Sequence, residues 1–350
     1  MKTSQLYLAL IAALCLAGCN TEQTAESSAE HPAAFQPWVP LAVVSVDPVS
    51  GTTSPVNVAP DNLRRALRVS AKPEGCLRVS SALSDAGEDL VVRSIAPADN
   101  RWRTTLLHQT GLFVLEGAAS ELASISFESV ECDSAAEAEL PLHVQIESWL
   151  SEEPSHPGLQ LRLVLSKSVQ ASLDVELLAQ QVGFELELEI AITQVELIED
   201  TNLIMQSQTD FSPLAEILAV LPQKQQGIID VVIGPCLQQQ SAFGLHRVAG
   251  ITPRIPGGAG PADAVFIART HCDFADALPF SAEELARLTA HEIGHYLGLE
   301  HTEEQNGRED DLPGTTNRNL MHRIPLTATA TGLTTEQRER ILAHPFVINF

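Results

Sequence analysis

Basic residues are scarce in this chain. Lysine and arginine number 21 against 45 aspartate and glutamate in 350 residues, for a formal net charge of −24. The acidic residues are spread along the chain and not gathered in one tail, which argues against nucleic acid or an anionic membrane surface as a partner held by charge. The apolar run Leu6–Leu16 is too short to span a bilayer stably. Tyrosine occurs only as Tyr7 and Tyr296 and methionine only as Met1, Met205 and Met321, so a role for either residue type is confined to few positions. No internal repeat is evident.

The ends of the chain carry the first positive signals. Residues 1–18 read as an export signal, with Lys2 ahead of the apolar run and Leu16-Ala17-Gly18-Cys19 directly after it. That ending resembles the lipobox of bacterial lipoproteins, which implies cleavage before Cys19 and acyl chains on that cysteine. Asn20 in the following position favours the outer membrane over retention at the inner one. Several acyl chains would anchor the protein durably, since each buried methylene contributes about 0.8 kcal/mol. Residues 19–38, rich in Thr, Gln, Ser, Ala and Glu, have little to bury and read as a flexible tether.

Loss of an 18-residue signal leaves 332 residues, enough for two domains. Residues 39–151 are short apolar or alternating runs broken by turn residues. The expected strands are Leu41–Asp47, Leu77–Ser80, Asp89–Ser94, Gly111–Leu115, Ile125–Phe127 and Leu142–Glu147, with turns at Asp47–Gly51 and Pro97–Asn100. An antiparallel β-sandwich domain of immunoglobulin-like type is expected, its role not legible. Glu152–Gly158 reads as a linker. Residues 158–350 read as α/β, with strands at Leu159–Leu165, Phe184–Ala191, Ile228–Ile233, Leu245–Thr252 and Ala264–Arg269, a helix at Ser172–Gly183, and an amphipathic helix at Thr334–His344 stopped by Pro345. Beyond Cys15 in the signal and Cys19, four cysteines remain, an even number that suits an oxidising compartment. Cys76, Cys132, Cys236 and Cys272 allow three pairings, and the domain division favours Cys76 with Cys132 and Cys236 with Cys272.

The chemistry is concentrated in His291-Glu-Ile-Gly-His-Tyr-Leu-Gly-Leu-Glu-His301. Ser281 and Glu284 form a capping box ahead of an apolar stripe of Leu285, Leu288, Ala290 and Ile293, which predicts a helix ending near Gly298. On that helix His291 and His295 are one turn apart on the same face, and Glu292 is rotated aside. Gly298 can adopt the positive φ that ends a helix and lets the chain bring His301 back to the same point. Three imidazoles leave a fourth position open for water, the catalytic pattern of zinc coordination. The other histidines lack a partner at ligand spacing. The acidic run 303–311 has no regular calcium-loop spacing, so a calcium ion is possible there but no motif supports it.

HExxHxxGxxH followed by a methionine turn resembles the signature of the metzincin clan of zinc metalloproteases. The methionine is Met321 in Asn319-Leu320-Met321-His322, about twenty residues beyond His301. His-Tyr-Leu-Gly-Leu-Glu-His-Thr and Asn-Leu-Met look most like the pappalysin-type branch. The resemblance is specific over about residues 285–325 and implies an α+β fold: a zinc protease domain with a twisted mixed sheet, an active-site helix and a small lower subdomain, here preceded by the β-sandwich. It implies one zinc ion held by His291, His295 and His301, Met321 as a packing floor beneath them, and an edge strand near Val248–Thr252 that pairs with an extended polypeptide substrate. Some metzincins place a tyrosine two residues after the methionine. Arg323 stands there in this chain, which leaves His322 or Arg323 as candidates to stabilise an oxyanion.

The expected activity is zinc-dependent endopeptidase cleavage of extracellular or surface proteins, with Glu292 as the general base. Two alternatives stand beside it: a lipid-anchored binding protein with an inactive zinc site, against which the intact Glu292 speaks, and a zinc hydrolase of a non-peptide amide bond.

Overall fold

The computed structural model describes residues 34–58, 63–73, 75–89, 107–108, 110–115, 122–130, 143–200, 203–205, 211–241, 244–260, 262–270, 278–303, 312, 319–327 and 332–350. The signal segment, Cys19, most of the tether, the strand expected beyond Asp89, the turn at Pro97–Asn100, Cys132, Cys272 and the acidic run from residue 304 lie outside them.

Eight strands build the N-terminal part: β1 (Val39–Ser45), β2 (Val56–Asn57), β3 (Arg64–Lys72), β4 (Cys76–Ser84), β5 (Leu107–His108), β6 (Thr110–Leu115), β7 (Leu122–Val130) and β8 (His143–Ser151). They form two antiparallel four-stranded sheets, ordered β1-β8-β3-β6 and β2-β7-β4-β5. Leu67 and Val69 of β3 and Val144 and Ile146 of β8 share one core with Leu77 and Val79 of β4 and Ile125 and Phe127 of β7. Alternation explains the division, since every second side chain of a strand meets the same face.

β3 is a central strand that the sequence pattern does not announce. Its apolar residues are interrupted by Arg64, Arg65, Arg68 and Lys72. Leu67, Val69 and Ala71 enter the core between the sheets, while Ala66, on the opposite face, packs with Leu112, Trp149 and Ala259. Arg68 pairs with Glu147 at 2.7 Å and lies over the Trp38 ring, which lets a cation occupy a half-buried face.

The C-terminal part begins with β9 (Pro157–Ser166) and continues through α1 (Lys167–Gln170), α2 (Val175–Leu186), β10 (Glu189–Ile198), β11 (Leu203–Met205), α3 (Ser212–Ala219), β12 (Ile228–Gly234), β13 (Leu237–Ser241), β14 (Gly244–Arg247), β15 (Gly250–Ile251), β16 (Val265–Ala268), α4 (Ala282–Tyr296), α5 (Thr335–Ala343) and β17 (Ile348–Asn349). The main sheet runs β10-β9-β12-β16-β15, with β17 paired to β9. Its first four strands are parallel and β15 is an antiparallel edge. β12 is buried at every position, and its Asp230 receives two hydrogen bonds from Arg162 of β9, at 2.7 and 3.0 Å. A pair this buried survives because both charges are matched by geometry.

Two strand expectations are corrected. Phe184–Ala191 is not one strand: α2 continues to Leu186, Glu187 turns left-handed at φ 55°, and β10 begins only at Glu189. The alternation in Phe-Glu-Leu-Glu-Leu-Glu comes from the last turn of a helix joined to the first residues of a strand. Leu245–Thr252 is likewise two strands in different sheets, because the chain bends at Val248–Ala249 after β14 and joins β16 as β15.

Residues 32–350 form one compact unit. Arg64 of β3 donates through Nη1 to the carbonyl of Leu342 in the last turn of α5 at 2.6 Å and to that of Val347 beyond it at 3.1 Å, and its guanidinium lies 5.1 Å from the Trp149 ring centre. A cation at the carbonyl end of a helix is favoured by the helix dipole as well as by the hydrogen bonds. Among the described residues no helix is long and apolar enough to cross a membrane.

Candidate metal centre

α4 carries the first two histidines, and its start is fixed locally. The Ser281 hydroxyl accepts from the Glu284 N–H at 3.2 Å, and the Glu284 carboxylate accepts from the Ser281 N–H at 2.8 Å. This reciprocal cap sets the helix register and therefore the direction of every side chain after it. Gly298 has φ +104°, and the reversal it allows lets the Leu299 N–H return to the Gly294 carbonyl at 2.9 Å. His301 follows directly.

His291, His295 and His301 present ligand atoms that all lie within 4.8 Å of one another. His291 Nδ1 is 2.8 Å from the Leu320 carbonyl and His295 Nδ1 is 2.7 Å from the Leu299 carbonyl. A carbonyl oxygen only accepts, so each Nδ1 carries the proton and each Nε2 offers a lone pair. His295 Nε2 faces His301 Nε2 at 3.1 Å, near the edge of about 3.3 Å for two nitrogens on one tetrahedral zinc ion. Burial holds His291 down to about 3, with the Leu320 hydrogen bond opposing, so the ring is neutral and available as a ligand. This donor set fits zinc: three imidazole nitrogens, two of the rings oriented by main-chain carbonyls, fill three positions of a tetrahedron and leave the fourth for another ligand.

Met321 lies directly beneath α4. It is fully buried, and a β-carbon built on Gly294 would meet its sulfur at 2.6 Å. Gly294 stands between the two helical histidines, so the missing side chain is what lets the methionine approach. The Met321 turn is held from three sides. Asn319 Oδ1 accepts from the Met321 N–H at 2.8 Å, Asn319 Nδ2 donates to Gln337 of α5 at 2.7 Å, and the Met321 carbonyl accepts from the Thr302 N–H at 3.0 Å. Asn319 thus ties the turn to the C-terminal helix, a role visible in the sequence only as an asparagine preceding Leu-Met.

Glu292 is 5 % exposed and faces the edge strand β15. Burial pushes its carboxyl up to about 8, and the Thr252 hydroxyl opposes that rise. Thr252 Oγ1 lies 3.0 Å from Glu292 Oε2 and 2.7 Å from the Glu292 carbonyl. This contact is the part of the site that sequence reasoning misses, because forty residues separate the two. Of the residues after the methionine, His322 is half-buried with its Nδ1 against the backbone of Ile324, and Arg323 is exposed. Tyr296 turns into the core against His344 and Phe346. Cys236 is disulfide-bonded, while the side chain of Cys76 is not among those described.

No family model and no curated protein matches the chain. Among solved structures it is similar to a zinc-dependent peptidase from Methanocorpusculum labreanum, at 14 % identity and a TM-score of 0.34, over 52 % of this chain and 99 % of that one. It is similar to archaemetzincin from Methanopyrus kandleri at 16 % identity and a TM-score of 0.34, over 53 % and 93 %. Metalloproteinase-II from Bacteroides fragilis matches at 15 % identity and a TM-score of 0.36, over 64 % and 63 %. The chain is a mixed α+β protein, and its three clustered histidines fit a zinc ion. At these TM-scores the likenesses carry no functional weight; the functional reading rests on the site's own atoms.

Proposed function

We propose that this protein is a zinc-dependent metallopeptidase that hydrolyses peptide bonds of extended polypeptide chains. The observation that carries the reading is the convergence of three imidazoles, His291, His295 and His301, two of them on the helix that also bears the buried Glu292. His291, His295 and His301 would hold the ion. Zinc, when bound there, supplies Lewis acidity toward a water molecule and a substrate carbonyl. Glu292 takes the proton from the attacking water and delivers it to the leaving nitrogen, the role of a carboxylate general base. β15 ends the main sheet, and an extended peptide laid along this edge would gain main-chain hydrogen bonds that hold it in register.

Glu292→Gln tests the reading. The variant is expected to retain stoichiometric zinc and to cleave a diverse peptide library about a hundredfold to ten-thousandfold more slowly than the parent. Cleavage at the parental rate, or cleavage by the parent that a chelator does not stop, would remove the assignment.

The proposal extends to the setting of the enzyme. Leu16-Ala-Gly-Cys19 supports an acyl anchor on Cys19, residues 19–38 a tether, residues 39–151 a β domain, and residues 158–350 the catalytic domain. The substrates are then proteins of the cell envelope or its surroundings. Cys236 pairs with Cys272 in this reading. Cys19→Ala is expected to move the protein from the membrane fraction to the soluble one, and unchanged membrane association would exclude the anchor.

A further inference from the structure

The edge strand β15 and the residue that follows it hold two positions that strand geometry does not explain. Gly250 has no positive φ, so nothing in the backbone conformation calls for glycine there. What it lacks is space. A β-carbon built on Gly250 would sit 2.6 Å from Glu292 Cγ and 2.8 Å from Glu292 Oε1. Two residues on, the Thr252 hydroxyl reaches Glu292 Oε2 at 3.0 Å. The hydroxyl has one proton and two acceptors in range. The alternative acceptor, the Glu292 carbonyl at 2.7 Å, lies inside α4, where the N–H of Tyr296 is already in register to bond it. The carboxylate oxygen is the acceptor that gains most from the proton.

We propose that Gly250 and Thr252 form a cradle that aims the Glu292 carboxylate, with Thr252 as a positioning residue and Gly250 as the gap the carboxylate occupies. The inference rests on the peptidase reading for its catalytic meaning, but the contact can be measured without it. A carboxylate on a flexible stem samples several rotamers, and a base must lie within hydrogen-bond reach of the proton it removes. A wall on one side and a donor on the other reduce those rotamers to one. The same strand would align an extended substrate, so the base and the bond it serves are referenced to one piece of backbone.

The test uses the full-length, zinc-loaded protein and three variants. Thr252→Val keeps the shape and removes the donor. It is expected to lower kcat about tenfold to a hundredfold with KM and zinc content unchanged, and Thr252→Ser is expected to restore most of the loss. Gly250→Ala is expected to lower kcat at least as far while still binding zinc. The second readout does not need turnover: the infrared carboxyl band that disappears in Glu292→Gln should shift in Thr252→Val and return in Thr252→Ser. An unshifted band in Thr252→Val overturns the cradle whether or not the protein cleaves peptides. Equal defects in Thr252→Val and Thr252→Ser would overturn it too, since the hydroxyl would then not be the group that matters. A parent protein without chelator-sensitive cleavage defeats the peptidase reading instead, and the band still decides the contact.

Discussion

Met321 and Gly294 fill complementary space: the methionine sulfur lies 2.6 Å from where a β-carbon of residue 294 would be. The contact joins the helix that carries two of the histidines to the turn whose Leu320 carbonyl orients one of them. Gly294→Ala therefore sets two effects against each other. Alanine gains up to about 1 kcal/mol of helix propensity, while overpacking in a filled core costs about 1–3 kcal/mol. Loss is expected to win, with a lower Tm and weaker zinc affinity. Met321→Ala alone should cost about 2–5 kcal/mol by leaving a cavity, and the double variant should be more stable than the sum of the two losses allows. Additive losses in a thermal double-mutant cycle would show that the two residues are not coupled.

Zinc should stabilise the fold by mass action. At a free concentration about a hundred times its Kd the gain is about 2.7 kcal/mol, read as a rise in Tm that a chelator reverses. His301→Ala is expected to shrink the rise at the same zinc concentration, because one of three ligands is gone. A rise of full size in that variant would take His301 out of the ligand set.

Acid should act on a histidine outside the clustered three. His344 is fully buried, its Nδ1 accepts from the Phe346 N–H at 3.2 Å, and its Nε2 meets the Gly257 carbonyl at 3.4 Å, so the neutral ring is the form the fold holds. Burial, with the Arg64 charge adding to it and the Gly257 carbonyl opposing, pulls its pKa from 6.5 down to about 3. Above pH 6.5 both folded and unfolded chains leave this ring neutral. Between pH 6.5 and 3 only the unfolded chain takes up the proton, so stability falls as the pH drops through that window, by at most about 5 kcal/mol. Denaturant titrations at several pH values should show a shallower slope for His344→Gln by about one proton. Identical slopes would place the sensitivity elsewhere.

Arg64 should matter to the C-terminal helix although it belongs to the other end of the sequence. Burial draws its pKa down to about 10, opposed by Glu153, so the guanidinium remains charged at neutral pH against the carbonyls of Leu342 and Val347. Arg64→Met is expected to cost about 2–4 kcal/mol and to speed amide hydrogen exchange in α5 before it does so in β12. Protection of α5 equal to that of the parent would exclude the cap.

The parts legible in the sequence are those fixed by neighbours along the chain. The capping box at Ser281 and Glu284, the helical histidine pair, the reversal at Gly298 and the cap of α5 at Thr334 all depend on residues within a few positions of one another. Ile228–Ile233 is equally plain, since a β-branched run broken only by Asp230 has few other fates. Contacts set by the fold were not legible. Thr252 meets Glu292, Asn319 meets Gln337 and Arg64 meets Leu342 only after sheets and helices have packed. β3 is hidden in the sequence because its arginines are drawn into protein contacts, Arg64 with Leu342 and Arg68 with Glu147 and Trp38, and Phe184–Ala191 mimics alternation because a helix end runs into a strand start.

The imidazoles of His291 and His295 are steered by the carbonyls of Leu320 and Leu299, which are main-chain atoms. No single amino-acid replacement can delete such a partner, as it could delete a steering aspartate. The centre is thereby insulated from mutational drift in the residues that orient it. Side chains near it can change while the direction of these two imidazoles is inherited from the path of the backbone.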